Sequence, residues 1–234
     1  MNMKLLVSRS LKAFELLTRT STAQKVRRPE SSWEEIIQFA FEFARGFLKP
    51  MQVRSEIQQA LMAIERLKPQ VVVEIGTARG GTFFLLSRAA HPQARLISVD
   101  LPFGRWGGGY SAWKVSIFRR LILKGQHSDF VRADSHAPAT VGRVKQLLAG
   151  DQVDILFIDG DHSYAGAKHD FEAYSALVRP GGIVLFHDIA KHAAWEECHV
   201  DELWAELQNK YECQEFIADR AQGWAGIGLV RIPA

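Results

Sequence analysis

The stretch VDILFIDGDHSYAGAKHDFEAYSALVRPGGIVLFHDI, residues 153–189, contains two apolar runs that each end in acidic residues and histidine. Side chains that commonly bind metal ions follow both runs: Asp159, Asp161 and His162 follow the first, and His187 and Asp188 follow the second. Short, continuous apolar runs with a helix-length segment between them are typical of parallel strands buried on both faces. The stretch therefore predicts a parallel sheet with a polar site at the ends of two strands.

The same alternation of strand-like runs and helix-length segments extends along most of the chain from residue 71. The runs cover residues 71–75, 95–99, about 128–131, 153–158 and 182–186. Two final runs, around 213–218 and 226–232, are joined by a connection too short for a crossover helix, so we expect an antiparallel hairpin at the edge of the sheet. The pattern predicts an α/β fold with a Rossmann-like, doubly wound sheet of seven strands, mostly parallel, with the last strand antiparallel.

Two helices are expected before the first strand. The sequence Ser31–Glu35 forms a capping box that predicts a helix over about 32–48. A second apolar pattern at helical spacing follows and stops before Pro69. We therefore expect an N-terminal helical extension over residues 1–50 and the main domain over residues 51–234.

Composition narrows the class of protein. With 234 residues and 47% hydrophobic composition, the chain is long enough for one large domain with a sizeable core. No apolar run approaches the roughly 18–20 residues that a membrane span needs, so we expect no stable membrane insertion. Cys198 and Cys213 form neither a metal-binding spacing nor a disulfide framework, which favours a cytoplasmic location.

The net charge of +3 conceals an asymmetry. Residues 1–28 carry seven Lys or Arg against Glu15 alone, and the remainder carries 22 basic and 25 acidic residues. The chain after residue 28 therefore has no excess of positive charge, so we expect no nucleic-acid partner. The basic segment predicts an amphipathic helix that caps the protein or docks on a partner, with a loosely ordered arm or a targeting segment as alternatives. Together with the two helices that follow, it could mediate a homo-oligomer.

The first predicted strand leads into a glycine-rich turn in VVVEIGTARGGTFFLLSRAA, residues 71–90. Glycines let the backbone approach a ligand, and the following helix offers free N–H groups. Position 78 is Ala, so the spacing is not G-x-G-x-x-G, and an acid precedes the first glycine, which suits a cationic ligand such as S-adenosylmethionine better than a pyrophosphate. The predicted cofactor residues are Glu74, Gly76, Thr77, Gly80 and Gly81 at this turn, with Asp100 and Asp134 at the next two strand ends. The alternative is that the glycines only form a turn.

The strands that end near residues 158 and 186 are expected to lie side by side. Their carboxyl ends would then bring Asp159, His187 and Asp188 to one divalent cation. Two carboxylates and an imidazole suit Mg²⁺, Mn²⁺ or Fe²⁺ better than a metal that prefers thiolates.

These strand ends, taken in order, resemble those of class I S-adenosylmethionine-dependent methyltransferases, over roughly residues 51–232. The sequence DLPFGRWGGGYSAWK, residues 100–114, and the stretch 153–189 look like the bacterial branch that includes the proteins named cephalosporin hydroxylases and neighbouring sugar and natural-product methyltransferases. The metal-dependent O-methyltransferases of the catechol type are related. The resemblance implies S-adenosylmethionine as cofactor, the same three metal ligands, and a small hydroxylated substrate such as a sugar or secondary metabolite. His187 departs from the acid that the family usually has at that place.

In this mechanism a substrate hydroxyl attacks the methyl group of the sulfonium. A bound metal would lower the pKa of the hydroxyl, and a nearby base would accept its proton. His162 is our candidate for that base, beside Asp159, because its ordinary pKa lies near the operating pH. The alternative is that His162 only caps the following helix or hydrogen-bonds a strand end. Asp161 is interpreted as a capping or supporting group rather than a ligand.

Other aromatic and charged residues receive simpler interpretations. The loop 104–114 has three successive glycines among aromatic residues, so it is either a mobile lid over the site or a surface loop with packing tryptophans. His136 and His192 could line the cleft, but a satisfied surface position is favoured for each. Packing positions are expected for Trp33, Trp195 and Trp204, and solvated positions for Lys168 and Asp170.

Three other functions stay open. His162, His187 and one carboxylate could mimic the ligands of an Fe²⁺ oxygenase, as the name of the resembling family suggests, but such an enzyme needs no nucleotide loop. A partner protein could keep the cofactor cleft without turnover. A nicotinamide enzyme is disfavoured by Ala78.

Overall fold

The structure is a computed structural model that describes residues 16, 19–193, 195 and 197–234. Its helices are α1 (Trp33–Glu42), α2 (Arg54–Glu65), α3 (Gly81–Ala89), α4 (Lys114–Leu121), α5 (Pro138–Leu148), α6 (Tyr164–Ser175) and α7 (Val200–Gln208). Its strands are β1 (Val71–Ile75), β2 (Arg95–Val99), β3 (His127–Val131), β4 (Val153–Ile158), β5 (Val178–His187), β6 (Glu212–Phe216) and β7 (Ile227–Arg231).

The seven strands form one sheet in the order β3-β2-β1-β4-β5-β7-β6. Strands β1 to β5 pair in parallel, and β7 is antiparallel to both β5 and β6. The predicted fold class is therefore confirmed, including the antiparallel last strand. In the register, Ile75 lies opposite Ile158, and Ile158 lies opposite Phe186, so the carboxyl ends of β1, β4 and β5 reach one edge together. That edge brings Gly76, Asp159 and His187 side by side.

Apolar side chains cover both faces of the sheet. On one face, α1, α2 and α3 contribute a cluster that includes Trp33, Ile57 and Phe84. On the other face, α5, α6 and α7 contribute residues such as Val144 and Trp204, which confirms the predicted packing roles of Trp33 and Trp204. Since α1 packs into the same core as the sheet, the proposed boundary near residue 50 crosses a continuous apolar cluster; that boundary stays a prediction.

Two predicted element bounds are wrong. The first helix was expected to continue to about residue 48 but ends at Glu42, because Ala44, Arg45 and Gly46 adopt positive φ values that no α-helix accommodates. The capping box at its start is confirmed, with Ser32 and Glu35 bonded reciprocally. Strand β5 begins at Val178 rather than at residue 182.

Most of the basic N-terminal segment lies outside the described residues, which include only Leu16 and residues 19–28 of it. Within that part, residues 19–23 are helical, and the buried Arg88 guanidinium donates to the carbonyl oxygens of Ala23, Val26 and Leu121. These bonds fix the segment to the main fold. A role in oligomerisation stays a prediction. In the part of the chain that the structure describes, no helix is both long and apolar enough to cross a membrane.

Candidate active site

A cavity of about 310 Å³ runs along the carboxyl ends of β1, β2, β3 and β4. Of the predicted cofactor residues, Gly76, Asp100 and Asp134 line it. Trp106 and His136 also face it, although His136 was interpreted as a surface residue. That interpretation is wrong, because the His136 side chain is only 30% exposed and lines the cavity.

Asp100 organises the loops around this cavity. Its Oδ2 accepts a hydrogen bond from the backbone N–H of Ala78 at 2.6 Å. Gly109 passes so close that a Cβ there would lie 2.2 Å from Asp100 Oδ1. Burial raises the pKa of Asp100 to about 6, although hydrogen bonds from backbone N–H groups oppose that rise.

The other predicted cofactor residues lie behind the cavity rather than in its wall. Glu74 is fully buried, and burial raises the pKa of its carboxyl well above the usual range. A chain of hydroxyls connects it to the loop 104–114: Tyr110, Ser98 and Thr77 follow one another at 3.0 and 2.7 Å, and Thr77 donates to Glu74 Oε2 at 2.5 Å. The network ties β1 and β2 to the loop 104–114, so Tyr110 packs in the core instead of offering a face to a substrate.

Gly80 and Gly81 have packing roles in this structure. A Cβ on Gly80 would lie 2.5 Å from the ring of Phe118, and a Cβ on Gly81 would lie 2.0 Å from the carbonyl oxygen of Leu48. Both glycines therefore let α3 approach its neighbours. A contact of either with a cofactor stays a prediction.

The three predicted metal ligands converge at the ends of β4 and β5. His187 Nδ1 lies 3.1 Å from Asp159 Oδ1 and 3.2 Å from Asp188 Oδ2. Asp188 adopts a φ of 62°, which Asp tolerates better than most residues and which turns the chain at the end of β5. The side chains of His187 and Asp188 are 4% and 3% exposed, so both are almost fully buried.

Neighbouring side chains outside the cluster bind the second oxygen of the Asp159 and Asp188 carboxylates. Gln52 Nε2 donates to Asp159 Oδ2 at 2.8 Å, and Gln52 Oε1 accepts from the Thr82 hydroxyl at 2.7 Å. His192 Nε2 lies 3.0 Å from Asp188 Oδ1. Asp159 Oδ1 and Asp188 Oδ2 therefore face His187 Nδ1, although Asp188 Oδ2 also lies close to His162 Nδ1. Supporting groups orient metal ligands in this way.

His162 belongs to the same cluster. Its Nδ1 lies 2.5 Å from Asp188 Oδ2, and its Nε2 lies 3.7 Å from Asp159 Oδ1. Burial by itself would lower the pKa of His162, but the hydrogen bond to Asp188 and the charges of Asp159 and Asp188 outweigh burial and raise it to about 10. In this state the ring carries a proton at neutral pH. The role of His162 as general base therefore stays a prediction.

A second cavity, of about 390 Å³, opens over this cluster. Its wall combines Asp159, His162, His187, Asp188 and His192 with the apolar side chains of Met51, Trp106, Trp195 and Trp224. Gly76, Ala78, Trp106 and Asp159 line both cavities, so the two spaces adjoin. Trp106 stacks on His162 with ring centroids 5.0 Å apart, so the loop 104–114 reaches the site.

Three interpretations from the sequence are wrong. Trp195 is 44% exposed and lines the second cavity, because it lies in the loop between β5 and α7 and not on a buried helix face. The His192 side chain is 6% exposed and bonded to Asp188, so it is not a surface residue. Asp170 is fully buried, because its side of α6 faces the sheet. Lys168, on the same helix, was also expected to be solvated, and it lies half-buried beside Glu206.

Some site residues could not be recognised in the sequence. Met51 and Gln52 precede the main alternation of strands and helices, and Trp224 lies in the short connection before β7. Only tertiary packing brings them to the strand ends. His192 carried a usable signal, since it follows Asp188 by four residues.

Comparison with known proteins identifies the family. The profile of a methyltransferase domain family matches residues 73–189, half of the chain. The chain is 28% identical over 150 residues to an uncharacterized protein of Sinorhizobium fredii, and 32% identical over 116 residues to one of Acanthamoeba polyphaga mimivirus. The matches cover 62% and 50% of this chain but 16% and 50% of those relatives, so the chain spans half of their lengths or less.

Solved structures of similar fold are methyltransferases. An O-methyltransferase from Bacillus cereus in complex with S-adenosylhomocysteine superposes with a TM-score of 0.56 at 17% identity, covering 93% of this chain and 99% of that one. The O-methyltransferase TomG from Streptomyces achromogenes, in complex with S-adenosylmethionine, gives 0.56 at 14% identity, covering 93% and 96%. At such identities the likeness shows the fold. The chain belongs to the methyltransferase domain family and has the fold of the class I S-adenosylmethionine-dependent methyltransferases.

Proposed function

We propose that the protein transfers the methyl group of S-adenosylmethionine to a hydroxyl oxygen of a small molecule, assisted by a divalent cation at Asp159, His187 and Asp188. The observation that carries the proposal is the position of this cluster: Asp159 lines both cavities, and His187 and Asp188 line the second. A methyl donor in the first cavity and an acceptor in the second would meet beside the cluster.

The first cavity fits the methyl donor. Asp100 offers a buried carboxylate at the end of β2, where it can accept hydrogen bonds from ribose hydroxyls. The Bacillus cereus enzyme and TomG, which share the fold, hold S-adenosylhomocysteine and S-adenosylmethionine. Family membership favours methyl transfer over the oxygenase and nicotinamide alternatives.

The donor set also fits a divalent cation. His187 Nδ1 lies 3.1 Å from Asp159 Oδ1 and 3.2 Å from Asp188 Oδ2, and the opposite carboxylate oxygens are already engaged by Gln52 and His192. Such a set suits Mg²⁺, Mn²⁺ or Fe²⁺. When bound, the cation would lower the pKa of a coordinated hydroxyl and stabilise the oxyanion.

The chain's own residues position the acceptor. The acceptor oxygen forms a bond to the methyl carbon while the carbon–sulfur bond breaks, which releases S-adenosylhomocysteine, and the hydroxyl proton passes to a base. His162 lies beside Asp159 and is the candidate base. It can accept the proton only in its neutral form, that is, when Asp188 no longer stabilises the protonated ring. Trp106, Trp195 and Trp224 surround the acceptor with flat apolar faces that suit a sugar or an aromatic ring. We infer a sugar or secondary metabolite as acceptor, in the cytoplasm.

Turnover tests this proposal. S-adenosylhomocysteine release would be measured with a panel of small sugars, phenols and catechols, before and after chelation, with a reaction without acceptor as the blank. We expect acceptor-dependent release that chelation abolishes and Mg²⁺ or Mn²⁺ restores. Release that is unchanged by exhaustive chelation would contradict the role of the cation, and acceptor-independent cofactor binding alone would favour a non-catalytic partner protein.

The pKa of Asp100 gives a pH dependence of cofactor binding. Ribose hydroxyls donate to the ionised carboxylate, and the proton leaves Asp100 as pH rises through about 6. We expect the affinity for S-adenosylhomocysteine to rise by about tenfold between pH 5 and 7.5, since the ionised fraction rises by about that factor. Calorimetric titration at both pH values measures it. Asp100→Asn should bind weakly and equally at both, and a pH dependence that survives in this variant would assign it to another group.

A further inference from the structure

A second group of potential metal ligands lies at the edge of the first cavity, apart from the cluster at Asp159, His187 and Asp188. His136 follows β3, in the loop before α5, and His169 and Asp170 lie on α6. One ligand atom from each residue lies within 4.8 Å of the other two. His136 Nε2 is 3.6 Å from Asp170 Oδ1, and the rings of His136 and His169 have centroids 4.7 Å apart.

Asp170 is unusual because its burial is complete and both of its carboxylate oxygens lack a hydrogen-bond partner among the described residues. His136 Nε2 is likewise buried without a hydrogen bond in that part of the chain. A buried carboxylate without hydrogen bonds is costly unless an opposite charge compensates it. A positive charge beside Asp170, either a proton on His136 or a bound cation, would compensate it.

The surroundings add to the negative charge. Asp134 and Asp161 both act electrostatically on the His136 ring, together with Asp170. Their own carboxylates are partly satisfied: Asp134 accepts from the backbone N–H of His136, and Asp161 from that of Ser163. Three carboxylates thus face one half-buried imidazole, which favours a cation at this place.

We propose that His136, His169 and Asp170 bind a zinc ion, with water as the fourth ligand. Two imidazoles and one carboxylate are a donor set that zinc accepts in tetrahedral geometry, at about 2.0–2.2 Å from each ligand. Ligand atoms around such an ion lie roughly 3.4 Å apart, close to the 3.6 Å between His136 and Asp170. The His169 side chain is exposed, so the ion would be reached from solvent and the His169 ring would shift toward it on binding.

The ion would connect the loop after β3 to α6. That loop also carries Asp134 and Ser135, which line the cofactor cavity, and Tyr174 on α6 donates to the carbonyl oxygen of Ser135. Zinc at this place would hold the wall of the cavity in position. It is a structural role, separate from the cluster at Asp159.

The test is calorimetric titration of the chelator-treated full-length chain with Zn²⁺. His169→Ala removes an exposed ligand and leaves the core intact, and His127→Ala is the matched control, because His127 is exposed on β3 and lies outside the cluster. We expect His169→Ala to weaken one zinc site by at least about 100-fold and His127→Ala to leave it unchanged. Asp188→Asn should retain this site, which separates it from the cluster at Asp159.

Thermal unfolding provides a second readout. Zn²⁺ should raise the midpoint of wild type and of His127→Ala, and should not raise that of His169→Ala. Equal zinc binding by wild type and His169→Ala would overturn the proposal. So would loss of all zinc binding in Asp188→Asn. Either result would mean that a proton on His136 alone balances Asp170.

Discussion

Asp188→Asn is expected to abolish cation binding at the proposed active site and, with it, turnover. The change keeps the size of the side chain but removes the charge that faces His162, His187 and His192. Removal of one hard ligand from a three-ligand site should weaken Mn²⁺ by well over the roughly 10- to 100-fold that loss of a supporting group costs. Mn²⁺ titration and S-adenosylhomocysteine titration of the same sample measure the two effects.

Binding of S-adenosylhomocysteine should stay within about twofold of wild type, because Asp188 lies outside the first cavity. Asp151→Asn is the control, since Asp151 is an exposed carboxylate at the opposite end of β4. Equal loss of cation and product binding in Asp188→Asn would show that the substitution disrupts the fold. Full turnover in this variant would place the cation elsewhere.

Gly76→Ala is expected to produce the largest loss of stability. Gly76 has a φ of 87°, and an added Cβ would lie 1.9 Å from the carbonyl oxygen of Asp159 and 2.4 Å from its carbonyl carbon. Since both neighbours are backbone atoms, β1 and β4 must separate at the point where the site begins. We expect the free energy of unfolding to fall by at least about 3 kcal/mol, which corresponds to a midpoint roughly 6–12 °C lower.

Gly142→Ala is the matched control for this prediction. Gly142 lies inside α5, and an added Cβ would meet nothing within 4 Å. The same substitution should stabilise the protein there by about 0.5–1 kcal/mol, because alanine favours the helix. Thermal unfolding of both variants decides the point; equal midpoints would show that the close approach at Gly76 is relaxed in solution.

The sheet could be predicted because each strand is encoded locally. The run at residues 153–158 matches β4 at both ends, and those at 71–75 and 95–99 match β1 and β2. The register of parallel strands then brings their carboxyl ends together, which is why Asp159, His187 and Asp188 could be predicted as one cluster. The end of α1 could not be predicted, because Ala44 and Arg45 have no sequence signal for positive φ.

The surroundings of the cluster depend on tertiary packing. Gln52 is 107 residues from Asp159 in the chain but donates to its carboxylate. Asp170 has the sequence appearance of a solvated helix residue, yet the packing of α6 against the sheet buries it. The aromatic wall formed by Trp195 and Trp224 comes from two separate loops. A single sequence contains no periodic signal for such contacts.

The most direct test of the central claim is calorimetric titration of the chelator-treated protein with S-adenosylhomocysteine, followed by Mg²⁺ or Mn²⁺. We predict micromolar binding of this product and a separate heat of cation binding that Asp188→Asn removes. Absence of product binding under all of these conditions would contradict the proposed cofactor site, and absence of a cation heat in wild type would contradict the metal-assisted mechanism.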